Sequence, residues 1–166
     1  MVDKMGVLAD NTVLTNFALI RREEMLRDVF SGGIFTTEAV LKELYKGEKR
    51  GVLPRRNWSF LKILKIESEY EQRLFERLNR RLGEGESSCL SLAVHRGIYK
   101  ILTDDLDTRR YAQRIGIPVS GTIGVLVDAI RKGIISKEKG NAFLSEMIKK
   151  GYYSPYRNLD ELAVEE

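Results

Sequence analysis

Acidic side chains occupy the positions from which this sequence could carry out chemistry. Asp10 is the first residue after a short apolar run, and Asp104 and Asp105 come directly after another, YKILT. Glu86 lies in the first turn of a predicted helix and shares a face with apolar residues, so we expect it to point inward. Glu43 borders the apolar face of another predicted helix. Carboxylates gathered in one crevice repel one another and lose hydration, and a bound Mg²⁺ or Mn²⁺ would offset that cost.

Each of these acids also has an ordinary structural explanation. An Asp that follows a strand is often the N-cap of the next helix, which would account for Asp10, Asp104 and Asp105. Glu86 in a first helical turn complements the helix dipole, and a mid-helix Glu such as Glu43 is usually a solvated charge. The cation-binding interpretation therefore depends on whether the fold brings these acids together.

Short apolar runs that alternate with amphipathic segments predict the elements that would position the acids. The apolar runs predict strands at 6–9, 34–35, 60–66, 99–103 and 117–119, of which 60–66 is a half-exposed edge strand. Helical spacing predicts helices at 12–22, 23–30, 37–46, 69–82, 86–96, 105–115, 121–132 and 137–150. This alternation predicts a three-layer α/β/α fold with a mostly parallel sheet of four or five strands. Ligands bind such sheets beyond the carboxyl ends of the strands, where Asp10, Asp104 and Asp105 are expected.

Length, composition and charge narrow the class of protein. The 166 residues suggest one domain, with a catalytic unit at 1–135 and a C-terminal helix and aromatic tail, 136–166, packed on it. A hydrophobic fraction of 43% is enough for a core, and Cys89 is the only cysteine, which favours a reducing, cytoplasmic compartment. No run of about 18 apolar residues is available to span a membrane. The net charge of +4 permits a polyanionic partner.

Four segments resemble the motifs of PIN-domain nucleases, in the order in which that family has them. VLADNTVLTNFA is similar to the opening strand–Asp–x–Ser/Thr–x–Leu segment, with Asp10 as the first metal ligand and Thr12 as the small hydroxyl. TTEAVLKEL places Glu43 at the second acidic position, and LGEGESSCLSLA places Glu86 at the third. YKILTDDLDTRRYAQRIGIPVSGTIGVL resembles the fourth motif, in which an acid two residues after the threonine, here Thr103, is usual.

This resemblance covers roughly residues 6–135, and its last part is similar to a prokaryotic branch of predicted nucleic-acid-binding PIN proteins. It implies an α/β/α metal-dependent ribonuclease. In that interpretation Asp10, Glu86 and Asp105, with Asp104 as the other choice for the fourth ligand, bind Mg²⁺ or Mn²⁺. Glu43 binds a second metal or orients the attacking water. Some relatives are toxins of VapC type that cut RNA and are restrained by an antitoxin, so an antitoxin partner and a homodimer are further expectations.

A basic loop predicted at 47–57 is the candidate surface for RNA. Its basic side chains would contact phosphates, Trp58 would stack on a base, and Arg109 would hold a phosphate near the acids. The basic candidates in or beside this loop are Lys46, Lys49, Arg50, Arg55 and Arg56. The alternative is a solvated loop with Trp58 in the core and Arg109 in a surface ion pair.

Other functions fit the sequence less well. A catalytically silent nucleic-acid-binding or complex-forming module on the same fold is the main alternative to a nuclease. A receiver-like domain would need a Lys after a late strand, and Ser120 stands there instead. A haloacid-type phosphatase would need Asp-x-Asp, whereas this chain has Asp10, Asn11 and Thr12. Both of these last classes are therefore disfavoured.

Overall fold

The apolar runs form a parallel sheet at the centre of the protein, which a computed structural model describes over residues 5–162, with only the backbone of Met5. The strands are β1 (Met5–Ala9), β2 (Ile34–Thr37), β3 (Lys62–Leu64), β4 (Ile98–Leu102) and β5 (Val119–Ser120). Their order is β3-β2-β1-β4-β5, and every pairing is parallel. The predicted α/β class is confirmed, with five strands in an all-parallel sheet.

Helices connect these strands and flank the sheet. Within residues 5–162 they are α1 (Asn11–Leu19), α2 (Glu24–Val29), α3 (Glu38–Lys49), α4 (Glu69–Leu78), α5 (Glu84–Arg96), α6 (Leu106–Arg114), α7 (Thr122–Arg131) and α8 (Lys137–Lys149). Helix α5 contacts β1, β2 and β4 and has α4 and α6 beside it, whereas α7 and α8 pack on α2 and α1. The strand order reverses beside β1. Right-handed crossovers therefore place α4, α5 and α6 on one face of the sheet and α1, α2, α7 and α8 on the other, as a three-layer fold requires.

The reversal beside β1 also creates the crevice in which a parallel sheet binds ligands. The chain leaves β1 toward β2 on one side, while β4 lies on the other side. The amide of Asp10 donates to the carbonyl of Leu102 (3.0 Å), and the amide of Thr103 donates to that of Ser120 (2.8 Å). The carboxyl ends of β1, β4 and β5 are therefore held together at this switch point, which is the expected position of a functional site.

Burial follows the position of each strand in the sheet. Val7, Leu8 and Ala9 of β1 are buried, as expected for an inner strand covered on both faces. Edge strand β3 is largely exposed, and it is shorter than the predicted segment 60–66. At Gly6 the turn before β2 approaches so closely that a Cβ would lie 2.2 Å from the carbonyl oxygen of Gly33. Only glycine fits that position of β1.

Helix α3 continues beyond its predicted end. The sequence predicts a helix to about Lys46 and a loop from Gly47, but the helix ends at Lys49. Gly47 is a packing position rather than a helix end, because a Cβ there would lie 2.9 Å from the side chain of Leu53. The amides of Val52 and Leu53 both donate to the Gly47 carbonyl. Lys46 and Lys49 therefore lie on the helix, and the predicted boundary of the basic loop is wrong.

Helix α5 begins at Glu84, two residues before the predicted start, with Gly83 as its N-cap. Gly85, predicted to break the chain between two helices, lies inside the first turn of α5. Its amide donates to Oε1 of Glu43 (3.3 Å), and a Cβ at Gly85 would lie 2.9 Å from that oxygen. The glycine therefore allows α5 to start close to α3, which local propensity alone does not reveal.

The C-terminal residues share the hydrophobic core of the sheet. Leu144, Met147 and Leu159 are buried in the same cluster as the strand residues. Ser136 caps α8 as predicted, its hydroxyl accepting from the amide of Lys139 (3.1 Å). Residues 163–166 of the predicted tail and residues 1–4 of the predicted domain lie outside the described residues. No helix within 5–162 is long and apolar enough to cross a membrane.

A buried ion pair joins α4 to the end of α5. Nearly all of the Glu71 side chain is buried, and it accepts from Nε of Arg96 (2.5 Å) and from the amides of Glu67 (2.9 Å) and Ser68 (3.1 Å). The hydrogen bonds from Arg96 are the main reason that the pKa of Glu71 falls from its ordinary 4.5 to about 2. Its carboxylate is therefore more easily ionised in the folded than in the unfolded chain.

We predict that Glu71→Gln destabilises the protein at neutral pH. A native pKa below the unfolded value contributes stability that is present above about pH 4.5 and is lost as the pH falls toward about 2. The variant should lose about 2 to 3 kcal/mol of unfolding free energy at pH 7, measured by urea denaturation. The difference from wild type should shrink at about pH 3.

The matched control is Glu69→Gln on the same helix. Glu69 pairs with Arg73, but both side chains are exposed, at 73% and 64%. Such a pair contributes less than about 1 kcal/mol. Equal losses in the two variants, or a Glu71→Gln loss that is the same at both pH values, would contradict the assigned role of the Glu71–Arg96 pair.

Candidate active site

Asp10 is the centre of the candidate site. It follows β1, it is fully buried, and it caps α1. Its Oδ1 accepts from the amide (2.9 Å) and hydroxyl (2.6 Å) of Thr12, and its Oδ2 accepts from the hydroxyl of Thr103. The N-cap role considered for Asp10 is thus present, and it leaves the carboxylate in the crevice between β1 and β4.

The two threonine hydroxyls have a defined direction. The amide of Asp104 donates to Oγ1 of Thr12 (2.8 Å), and the amide of Asp105 donates to Oγ1 of Thr103 (3.0 Å). A hydroxyl has one hydrogen to donate, and a backbone amide cannot accept. Each hydroxyl must therefore send its own hydrogen to Asp10. The amides of Asp104 and Asp105, which follow β4, therefore orient both oxygens of Asp10 at the end of β1 through the two threonine hydroxyls.

The surroundings of Asp10 have opposing effects on the pKa of its carboxyl group. Burial raises its pKa to about 7, and the negative charge of Glu86 adds to the rise. The hydrogen bonds from Thr103 and Thr12 lower the pKa and limit that rise. A carboxyl in this state is near its titration point at neutral pH, and a nearby cation would favour the ionised form.

Glu86 lies within electrostatic reach of both Asp10 and Glu43. Burial, followed by the charge of Glu86, raises the pKa of Glu43, whose carboxylate accepts from the amide of Gly85. Burial also raises the pKa of the Cys89 thiol, and the charges of Asp10, Glu86 and Glu43 contribute in that order. Three of the acids predicted from the sequence therefore share one region of the fold, around a buried and unreactive thiol.

Two glycines make room for these carboxylates. A Cβ at Gly83 would lie 2.4 Å from Oε2 of Glu86, and one at Gly85 would lie 2.9 Å from Oε1 of Glu43. The sequence predicts a break between helices at this Gly-Glu-Gly segment and places it in the third PIN-like motif, but it does not predict that the two glycines pack against carboxylates. The alternation of Gly with Glu was the available signal that close packing against acidic side chains is required there.

Asp104 and Asp105 point to different partners. Oδ2 of Asp105 caps its own helix, α6, by accepting from the amide (2.9 Å) and hydroxyl (2.7 Å) of Thr108. Asp104 instead reaches the start of α7, where it accepts from the amide (2.9 Å) and hydroxyl (2.5 Å) of Thr122. Its Oδ2 also accepts from the side-chain amide of Asn16 on α1 (3.2 Å). Asp104 therefore braces α1 and α7 against the end of β4.

The sequence did not predict that three polar residues, Asn16, Thr122 and Tyr152, lie around Asp104. Asn16 and Thr122 are buried and joined by a hydrogen bond of 3.0 Å. Tyr152, from the tail after α8, lies close to Asp104, and burial followed by the negative charge of Asp104 raises the pKa of the Tyr152 hydroxyl. Asn16 was detectable, because it interrupts the apolar face that Val13 and Phe17 predict for α1. Nothing local in the sequence indicates where Tyr152 lies.

The predicted RNA-contacting residues divide into two groups. Arg109 lies beside the crevice, where its guanidinium donates to the carbonyl of Thr103 (3.0 Å). Trp58 is buried and its indole donates to Glu48 (3.2 Å), so the stacking role predicted for its ring is wrong. Arg56 pairs with the buried Glu23 (2.6 Å). The remaining basic candidates are exposed: Lys46, Lys49, Arg50 and Arg55.

The fold and the acidic crevice define an α/β protein with carboxylates at the switch point of a parallel sheet. A family model described as a PIN domain matches residues 6–164. The chain belongs to the PIN-domain family. The match extends past the predicted 6–135 and includes α8. No curated protein matches the chain. The PIN domain is a nuclease-type fold, and PIN nucleases typically use divalent metals.

The donors in the crevice fit such a metal by their chemistry. Asp10, Glu43 and Glu86 offer hard oxygen ligands whose charges already disfavour one another. Within residues 5–162, no group of three or more acidic, His or Cys side chains is placed to hold one ion together. Mg²⁺ is commonly bound through one or two carboxylates, with water completing its coordination. The residues present therefore fit a partly hydrated cation better than a closed protein cage.

We predict that Thr103→Val weakens the protein by disturbing Asp10. The variant removes a donor from Oδ2 of Asp10 and leaves the amide of Asp105 without its acceptor. Unfolding free energy at neutral pH should fall by about 2 kcal/mol, measured by urea denaturation. Thr15→Val is the control, because the Thr15 hydroxyl donates to Asn11 on its own helix and not to Asp10. If both variants lose the same free energy, Thr103 does not have this supporting role.

Proposed function

We propose that the protein is a ribonuclease that hydrolyses phosphodiester bonds with Mg²⁺ or Mn²⁺. The observation that carries the proposal is the electrostatic coupling of Glu86 to both Asp10 and Glu43, around Cys89, at the switch point of a nuclease-type fold. A bound divalent metal would supply an activated water and stabilise charge that develops on the phosphate. Without such an ion, the three carboxylates would only destabilise one another.

The residues of the chain have separate roles in this proposal. Asp10 and Glu86 hold the metal, and the hydroxyls of Thr12 and Thr103 keep the Asp10 oxygens in place. Glu43, held by the amide of Gly85, orients the attacking water or binds a second ion. Arg109 lies on α6, and its guanidinium, beside the end of β4, is in position to bind a phosphate of the substrate, which supports RNA entry at this edge of the sheet.

Asp105 is proposed as the fourth acidic residue, with Asp104 as a structural brace. Oδ1 of Asp105 makes no hydrogen bond to other described residues, whereas both oxygens of Asp104 accept from Thr122 or Asn16. A carboxylate with an oxygen still available is the better ligand. The spacing from Thr103 in the resemblance to PIN nucleases supports the same choice.

A catalytically silent nucleic-acid-binding module is the second candidate. The observation that favours it is that the described residues contain no preformed group of three metal-holding side chains. Titration with Mn²⁺ by calorimetry distinguishes the two, because a silent module would bind RNA without binding the metal. A toxin role, an antitoxin, a homodimer and a cytoplasmic location stay predictions from the sequence.

The nuclease proposal predicts metal-dependent cleavage that depends on the acids. Wild-type protein with Mn²⁺ or Mg²⁺ should cut a mixed pool of labelled RNA, and EDTA should abolish the cleavage. Asp10→Asn, Glu86→Gln and Glu43→Gln should each lower the rate by at least about 100-fold, on the order of 3 kcal/mol of activation free energy. The measurement is the initial rate from denaturing gels, with melting curves to establish that each variant is folded.

Asp107→Asn is the matched control for this experiment. Asp107 lies on α6 close to the site in sequence, but its side chain is 70% exposed and pairs with Arg110 on the same helix. This variant should cut at the wild-type rate. RNA cleavage that survives EDTA, or that is equal in wild type and the three acid variants, would exclude the proposed mechanism. Absence of cleavage together with absence of Mn²⁺ binding would favour the silent module.

The assignment of the fourth acid predicts opposite profiles for two neighbouring variants. Asp105→Asn should weaken Mn²⁺ binding at least about tenfold, or about 1.4 kcal/mol, and change the melting temperature little, because Asn is also an effective N-cap. Asp104→Asn should lower the melting temperature more and affect Mn²⁺ affinity less. Calorimetric titration and thermal denaturation measure the two effects. A reversed pattern would make Asp104 the ligand.

A further inference from the structure

A groove lies on the outer side of α3, next to edge strand β3. It has a volume of about 660 Å³, and its apolar lining includes Leu41 and Tyr45 from α3 and Leu61 and Ile63 from the β3 region. Tyr45 is 52% exposed and Ile63 is 40% exposed. A shallow apolar depression on the same helix, also lined by Leu41 and Tyr45, extends this surface. We call the whole surface the α3 groove.

The α3 groove is separate from the acidic crevice. Leu41 and Tyr45 are four residues apart and therefore share one face of α3. Glu43, which is charge-coupled to Glu86, lies between Leu41 and Tyr45 in sequence and on another face of the helix. Val40 and Leu44 are buried in the core. One helix thus contributes to the crevice with one face and to the α3 groove with another.

Positive charge surrounds this apolar surface. Lys42, Lys46 and Lys49 line it from α3, and Arg55 lines it from the loop after α3. None of the four makes an ion pair with another residue in the part of the chain that the structure describes. The nearby Glu48 is engaged by the amide of Arg56 and the indole of Trp58. Glu38 also lines this surface, and the four basic residues outnumber the two glutamates, so the rim has a net positive charge.

The chemistry of the groove favours a polypeptide over RNA. A single-stranded RNA surface combines basic groups with aromatic rings on which bases stack. Here Trp58 is buried, and the exposed apolar lining is aliphatic apart from Tyr45. Aliphatic linings are matched by the apolar stripe of an amphipathic helix, which is read through residues spaced three and four apart. Acidic residues beside that stripe would pair with the lysines and with Arg55.

We propose that the α3 groove is the docking site for an acidic amphipathic helix of a partner protein. Leu41, Tyr45 and Ile63 receive its apolar stripe, and the basic rim selects its negative charge and sets its orientation. The three-residue strand β3 is too short to direct the addition of an extended strand, so the helical mode is the better match. This inference does not depend on the proposed nuclease activity.

A random peptide library displayed on phage tests the proposal with the intact protein as bait. The peptides are about 16 residues long, which is roughly four helical turns, and selection takes place at about 150 mM salt to suppress purely electrostatic binding. We expect enriched peptides to carry net negative charge and apolar residues at helical spacing. The affinity of one enriched peptide, labelled with a fluorophore, is then measured by anisotropy.

Two groove variants and two matched controls locate the binding surface. The double variant Tyr45→Glu with Ile63→Lys removes the apolar centre, and Lys46→Glu with Lys49→Glu reverses part of the basic rim. Each should weaken the peptide at least about tenfold. Tyr70→Glu and Ile115→Lys, which change residues that are 70% and 41% exposed elsewhere, should leave the affinity unchanged. Circular dichroism and melting curves identify any variant that is not folded.

Several results would overturn the proposal. The library could yield no enriched peptides, or peptides without net negative charge. The selected peptide could bind the folded groove variants as tightly as wild type. A labelled single-stranded RNA of about 20 nucleotides could lose affinity in the Tyr45/Ile63 double variant while peptides do not bind, which would make the groove an RNA surface. RNA cleavage activity has no part in these measurements, so failure here is distinct from failure of the nuclease proposal.

Discussion

Both oxygens of the Asp10 carboxylate accept hydrogen bonds from threonine hydroxyls, and the geometry of the crevice depends on these contacts. The hydroxyls of Thr12 and Thr103 are themselves oriented by the amides of Asp104 and Asp105. A buried carboxylate without donors would be costly. The same interactions therefore make Asp10 tolerable in the core and join the end of β1 to the segment after β4.

The acidic cluster opposes stability while the surrounding polar network supports it. Burial and mutual charge raise the pKa values of Asp10 and Glu43, which is the signature of groups held in an unfavourable state. Asp104, bound to Asn16 and Thr122, braces the helices on either side of the crevice. Carboxyl groups with raised pKa values, held by a hydrogen-bonded framework, are typical of sites that are preorganised for a ligand.

Helix α3 connects the crevice with a different surface. Its inner faces carry Glu43 and the core residues, while its outer face carries the α3 groove with its unpartnered basic rim. The residues predicted to contact RNA from the sequence are therefore not equivalent. Arg109 lies at the crevice, Arg56 and Trp58 stabilise the loop after α3, and Lys46 and Lys49 flank an apolar groove. Position in the fold, rather than charge alone, separates these roles.

Local patterns in the sequence determined the fold class, the parallel sheet, most helix boundaries, the position of Asp10 at the end of a strand and that of Glu86 in the first turn of a helix, whereas Glu43 was assigned mainly through the resemblance to PIN nucleases. Apart from the assignment of Glu43, these features follow from hydrophobic periodicity and from the rule that ligands bind beyond the carboxyl ends of parallel strands. Only the tertiary structure decided the helical position of Gly85, the burial of Trp58, the separate partners of Asp104 and Asp105, and the arrival of Tyr152 at Asp104. Each of these depends on a contact between segments far apart in the chain, such as that of Gly85 with Glu43 or Asp104 with Thr122. A local pattern carries no information about which distant residue will fill a given space, so these features became visible only in the packed protein.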